Sequence, residues 1–197
     1  MKKKVLALAT CFSVLIACND NGNDGSNVAD GAKPDSVGDN NTTNNPANTS
    51  AQPLSKDDST FVMEAAVGGL MEVQSGQLAQ QNGMSQRIKD FGSMMVRDHE
   101  KANQELMSLA SGAGMTLPTA LPADKQKHMD EMKNMKGKSF DNHYADMMVN
   151  DHQKTISLFE KQASSGTNPQ LKTWASNTLP VLKAHMDSAQ ALKKGMK

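Results

Sequence analysis

The sequence predicts an all-α domain: a four-helix bundle whose second and third long helices are joined by a long crossover containing a short helix. Three observations carry this. Apolar residues recur with a period near 3.6 over almost all of residues 57–195, and alternation is rare. Gly83, Gly112, Gly137 and Gly166 punctuate the chain at intervals of helical length. Clusters of β-branched and aromatic residues that would favour strands are absent.

The chain begins with a different kind of segment. Lys2, Lys3 and Lys4 precede an apolar run over residues 5–17, the layout of a secretory signal. The run is shorter than the roughly 20 residues a membrane-spanning helix needs. It ends Leu15-Ile16-Ala17-Cys18, which resembles the bacterial lipobox. That resemblance implies cleavage after residue 17 and acylation of Cys18. The domain reading is then a lipoprotein signal peptide at 1–17, a disordered tether at 18–56 and a helical domain at 57–195. The implied partner is the membrane, through the lipid, and the implied location is the bacterial cell envelope, on an outer membrane facing the periplasm or the cell surface.

The tether is Asn, Asp, Gly, Ser, Thr and Pro with almost no large apolar residue, so it cannot offset its own ordering entropy. As a random coil it would reach on the order of 30–35 Å. The two cysteines are Cys11, within the signal, and Cys18. The domain therefore has no thiol for a disulfide or a thiolate metal site. Acidic and basic residues number 21 each. This balance offers no basic patch for nucleic acid, and none is expected as a partner.

The first helix is expected over 57–82, with Ser55 and Asp58 as a capping box and Gly83 as its stop. The second spans 84–111, before Gly112 and Gly114. Pro118 and Pro122 mark the connection, and a short helix over 123–136 ends at Gly137. Ser139 caps a third long helix that runs to 165. Asn168 and Pro169 form the N-cap and first turn of the last, which fades near Gly195. Pro180 is expected to kink that helix and free the carbonyl of Ser176. The connection of about 25 residues is too long for a hairpin but long enough to return along the bundle, so the second and third long helices are expected to run parallel.

These two helices share a pattern. Met94-Met95-Val96-Arg97-Asp98-His99-Glu100-Lys101 is echoed by Met147-Met148-Val149-Asn150-Asp151-His152-Gln153-Lys154. His99 falls in the inner stripe with Ile88, Met95 and Leu106. His152 aligns with Met148 and Phe159, and His185 with Trp174 and Leu182. On the first helix Glu72 falls in the inner stripe, with Glu64 as the alternative carboxylate. Three histidines and a carboxylate are thus expected inside, one from each long helix.

With these motifs in place, the chain resembles the exported bacterial proteins grouped as domain of unknown function 4142. The Asp-His repeats and the stretch 143–160 carry the resemblance, which covers residues 57–194. It implies a ferritin-like four-helix bundle and implies no established activity.

The residues depart from the di-iron pattern of such bundles, which uses Glu-x-x-His on two helices. Val96, Val149 and Leu182 stand three residues before the histidines. A softer metal suits them better. Met95 and Met148 stand one turn before His99 and His152, and His128 and Met132 share the i, i+4 spacing. Thioether with imidazole suits copper. The candidate ligands are therefore His99, His152, Met95, Met148, His185 and Glu72, with Glu64, Asp98, Asp151, His128 and Met132 as secondary candidates and copper or another transition metal as the candidate cofactor. Against this stands plain packing. The chain has 15 methionines and few aromatic residues, and methionine fills irregular cores. Buried histidines also form structural polar layers. No phosphate loop, nucleophile elbow or His-Glu-x-x-His motif occurs. The sequence alone favours a non-enzymatic structural or partner-binding module, with metal binding as the alternative and a ferritin-like metal-dependent enzyme as a distant third, and names no protein partner.

Overall fold

Five helices form: α1 (Lys56–Asn82), α2 (Gln86–Gly112), α3 (Ala123–Lys133), α4 (Gly137–Ser165) and α5 (Pro169–Lys194). These come from a computed structural model that describes residues 53–196. The signal segment, Cys18 and nearly all of the tether lie outside the described residues. Among the described residues there is no strand, and no helix is long and apolar enough to cross a membrane. The all-α expectation is met.

The helix starts follow side-chain chemistry. The Ser55 hydroxyl accepts from the Asp58 amide at 3.1 Å, satisfying one of the free donors of the first turn. α2 starts at Gln86, two residues after the expected start, and Ser85 caps it by accepting from the Ile88 amide. Asn168 caps α5, accepting from the Leu171 amide at 3.0 Å, with Pro169 in the first turn. α5 continues across Pro180 to Lys194.

The α3–α4 junction differs from expectation. α3 ends at Lys133, where the Asn82 side chain donates to the Lys133 carbonyl at 3.1 Å. That long-range bond satisfies a carbonyl the helix end leaves free. Gly137 adopts φ 61°, a left-handed conformation that glycine enters at little cost, and α4 grows from it directly. Gly137 therefore opens α4, and Ser139 lies within the helix instead of capping it.

α1 packs along α2, and α4 along α5; α1 also meets α4 and α3, and α2 meets α5. Two buried aspartates fix the ends. Asp141, near the start of α4, accepts from the amides of Met84 and Ser85 in the α1–α2 turn, both at 2.9 Å. Asp58, at the start of α1, accepts from Gln162 Nε2 at 2.7 Å and from the amides of Thr167 and Asn168 between α4 and α5. The serine half of the expected capping box forms, while the Asp58 carboxylate reaches mainly to the α4–α5 turn. The start of α4 thus lies at the end of α1, and the end of α4 lies at the start of α1.

The interior holds two apolar clusters. One gathers Ile88, Phe91, Met95, Phe140, Tyr144 and Met148. The other gathers Phe61, Val62, Leu106, Phe159, Trp174 and Leu182. Along α2, His99 falls between Met95 of the first cluster and Leu106 of the second. Along α4, His152 falls between Met148 and Phe159 in the same way. A buried polar layer therefore separates the two cores.

Candidate metal centre

Each long helix sends one residue into this layer: Glu72 from α1, His99 from α2, His152 from α4 and His185 from α5. All four are buried, at 4%, 6%, 0% and 2% exposure. The ring centroids lie 5.9 Å apart for His99 and His152, 5.4 Å for His99 and His185, and 5.4 Å for His152 and His185. Each histidine offers a ring nitrogen within 4.8 Å of the others.

The outward side of each ring is already committed. His152 Nδ1 lies 3.0 Å from the carbonyl of Met148. A carbonyl can only accept, so Nδ1 carries the proton and Nε2 is left with a lone pair. His185 Nε2 lies 3.0 Å from Asp98 Oδ2, which fixes its proton there and leaves a lone pair on Nδ1. The two lone-pair atoms, His152 Nε2 and His185 Nδ1, face each other at 3.4 Å. His99 Nδ1 donates to Glu72 Oε2 at 3.0 Å, while its Nε2 is buried without a partner. Glu72 Oε1 stands 3.5 Å from His152 Nδ1 and also has no hydrogen-bond partner.

Two nitrogens bound tetrahedrally to one ion at about 2.0–2.1 Å lie about 3.3 Å apart. The His152–His185 nitrogen pair has that separation. The partners behind the rings also match what metal-bound histidines require: a carboxylate or carbonyl holding the opposite N–H. Glu72, Asp98 and the Met148 carbonyl fill those three places. The donor set, three imidazoles with a carboxylate at hand, therefore fits a transition-metal ion.

Charge in the layer follows its geometry. Burial alone would raise the Glu72 pKa, but His99, His152 and His185 outweigh it and hold the carboxyl near about 2. Burial alone would lower that of His99, yet the charge and hydrogen bond of Glu72 raise it above the usual value. Burial lowers His152, with the His99 charge adding to the effect. Burial also lowers His185, with the Asp98 hydrogen bond opposing. His152 and His185 therefore stay neutral, the form in which imidazole binds metal.

One cavity borders the layer, and a second borders a residue that holds one of its rings. A cavity of about 450 Å³ between α1 and α4 reaches Glu72, lined by Val67, Met71, Lys125, Asp151 and Lys154 among others. On the opposite side, a cavity of about 380 Å³ between α2 and α5 reaches Asp98, beside Lys101, Trp174 and Thr178.

The remaining candidates fall elsewhere. Met95 and Met148 are fully buried members of the apolar cluster around Phe91 and Tyr144. Glu64 is exposed. Asp151 is half-buried beside Lys154 at 3.9 Å. Met132 is fully buried in the same apolar cluster as Met95, and His128 instead approaches His143 and Met147 of α4. Asp98 has a definite role at the centre: it accepts from His185 and is held in turn by the Arg97 guanidinium at 2.9 Å. The Met148 carbonyl was not anticipated, because no side chain marks it in the sequence. Its i, i+4 place before His152 is the one available signal.

Residues 43–192 match a family model described as Domain of unknown function (DUF4142). The chain belongs to this family. No curated protein and no solved structure matches it. The DUF4142 match takes in all four residues of the buried layer.

Proposed function

We propose that the chain is a metal-binding domain that holds one divalent transition-metal ion, zinc or copper, through His99 Nε2, His152 Nε2 and His185 Nδ1. Glu72, Asp98 and the Met148 carbonyl orient the rings. The observation that carries this is the convergence of three buried imidazoles whose opposite nitrogens are already bonded outward. A layer serving packing alone would leave His99 Nε2 and Glu72 Oε1 buried and unpaired. Each such atom costs about 1–3 kcal/mol. It would also set two lone pairs against each other at 3.4 Å. An ion bound between the rings would relieve the nitrogen contacts together. Three imidazole nitrogens suit zinc or copper(II) better than they suit a soft thioether site.

The same reading takes the domain as a four-helix bundle of α1, α2, α4 and α5 with ferritin-like connectivity. The Asp58 and Asp141 anchors support it. They set α4 antiparallel to α1, so that the segment holding α3 would carry the chain back along the bundle. It also takes the chain as an exported lipoprotein of the bacterial envelope, supported by the Lys2–Lys4 cluster, the apolar run and Cys18.

The test is a chelator-competition titration of the full chain with zinc and with copper(II), beside a His99→Ala/His152→Ala variant. One tight equivalent in the wild type, lost in a variant that keeps its helical circular dichroism, supports the reading. No binding to the folded wild type rejects it.

A further inference from the structure

A second cluster of metal-ligating side chains stands apart from the buried layer, where α3 packs against the start of α4. It joins His128 of α3 to His143 and Met147 of α4. His128 Nε2 lies 3.3 Å from Met147 Sδ. The rings of His128 and His143 lie 5.3 Å apart between centroids, tilted by 45°. His143 Nε2 is buried and has no hydrogen-bond partner. Met147 is 8% exposed, while both histidines are half-buried, so the cluster is partly accessible to solvent.

We propose that His128, His143 and Met147 form a second metal site, selective for Cu(I), at the α3–α4 junction. Ligands about 2.0 and 2.3 Å from a single ion lie about 3.5 Å apart, close to the observed nitrogen–sulfur approach. Two imidazoles and a thioether are a softer set than the three imidazoles of the buried layer, and softness selects Cu(I) over the harder divalent ions. His143 and Met147 are spaced i, i+4, so one helix face presents both. The third ligand comes from another helix, and the position of that helix is fixed independently by the bond from Asn82 to the Lys133 carbonyl. A site assembled from two elements in this way is not a by-product of either helix's own amphipathic pattern. His128 pairs here across the α3–α4 contact, a different use from the His128–Met132 pairing that spacing along α3 suggested.

The site is independent of the buried one, and the test separates them. The full chain is titrated with Cu(I) held in a competing chelator, beside Met147→Leu and His128→Ala/His143→Ala. Met147→Leu keeps the volume and removes the sulfur. The wild type is expected to take up one Cu(I) that Met147→Leu binds at least tenfold more weakly and the double variant does not bind. Each variant is expected to keep the helical circular dichroism of the wild type, which is the check that it is folded and does not depend on the buried layer. Copper-edge absorption of the wild type loaded with one equivalent is expected to show a sulfur scatterer that Met147→Leu lacks. Unchanged Cu(I) affinity in folded Met147→Leu, or no Cu(I) uptake by the wild type, overturns the proposal.

Discussion

At the scale of single residues, two kinds of buried polar group divide the work of the domain. Asp58 is fully buried and serves the fold. Burial by itself would raise its pKa, but hydrogen bonds from Thr167, Gln162, Ser55 and Asn168 bring it down to about 2 from 3.8. A carboxylate depressed on folding stabilises fully above its unfolded pKa and loses that contribution as the pH falls through the folded one. The Asp58 contribution is therefore complete above about pH 4 and fades toward pH 2. Acid titration of the melting temperature should show this loss, and Asp58→Asn should flatten that part of the curve. Asp58→Ala should cost about 2–3 kcal/mol by chemical denaturation, because it strands several donors at once. The buried histidines His99, His152 and His185 instead converge on one another across the bundle interior. Their positions were legible in the sequence, since an inner stripe at 4-3 spacing fixes which face a residue occupies whether it is apolar or not. Their outward partners were less so. Asp98 could be read as pointing off its own histidine, but not as meeting His185, which lies 87 residues away in the chain. Asp58 and Asp141 were not anticipated as anchors for the same reason: no local pattern encodes a partner on a distant turn.

At the scale of helices, α1 and α2 approach closely because glycines face each other. A Cβ on Gly92 would meet Ala79 Cβ at 2.7 Å and the Gly76 carbonyl oxygen at 2.7 Å. One on Gly76 would meet the Gly92 carbonyl oxygen at 2.8 Å. Backbone and a short side chain cannot yield as a long flexible one would, so a larger residue must push the helices apart. Gly92→Val should destabilise the domain by about 1–3 kcal/mol, read from a denaturant melt. If the buried layer depends on this approach, the variant should also bind zinc more weakly. Helix number, order and most ends were readable from capping residues and glycines. The exception was the α3–α4 junction, where a stop and a start share one glycine. Gly137 was read as ending α3, whereas its positive φ opens α4. The tertiary bond from Asn82, which closes α3 at Lys133, leaves no trace in the local sequence.

At the scale of the whole molecule, two apolar clusters enclose one polar layer, and stability rests on the clusters. Leu106 is 1% exposed within the cluster around Phe61 and Trp174. Leu106→Asp buries an unpaired charge there and should abolish the cooperative thermal transition seen by circular dichroism. The amino-terminal segment makes a separate prediction. If Cys18 carries lipid, Cys18→Ser should move the chain from the membrane fraction to the soluble fraction of the expressing cell, with the helical domain intact. An unchanged distribution would count against the lipoprotein reading alone and leave the metal site untouched.

In the proposed site, three histidines from three helices share one ion. X-ray absorption at the zinc edge, on the full chain loaded with one equivalent, tests it most directly. Three imidazole nitrogens at about 2.0 Å are expected, reduced to a different shell in His99→Ala/His152→Ala. A shell with fewer than three imidazoles in the wild type, or the same spectrum in the variant, would contradict it.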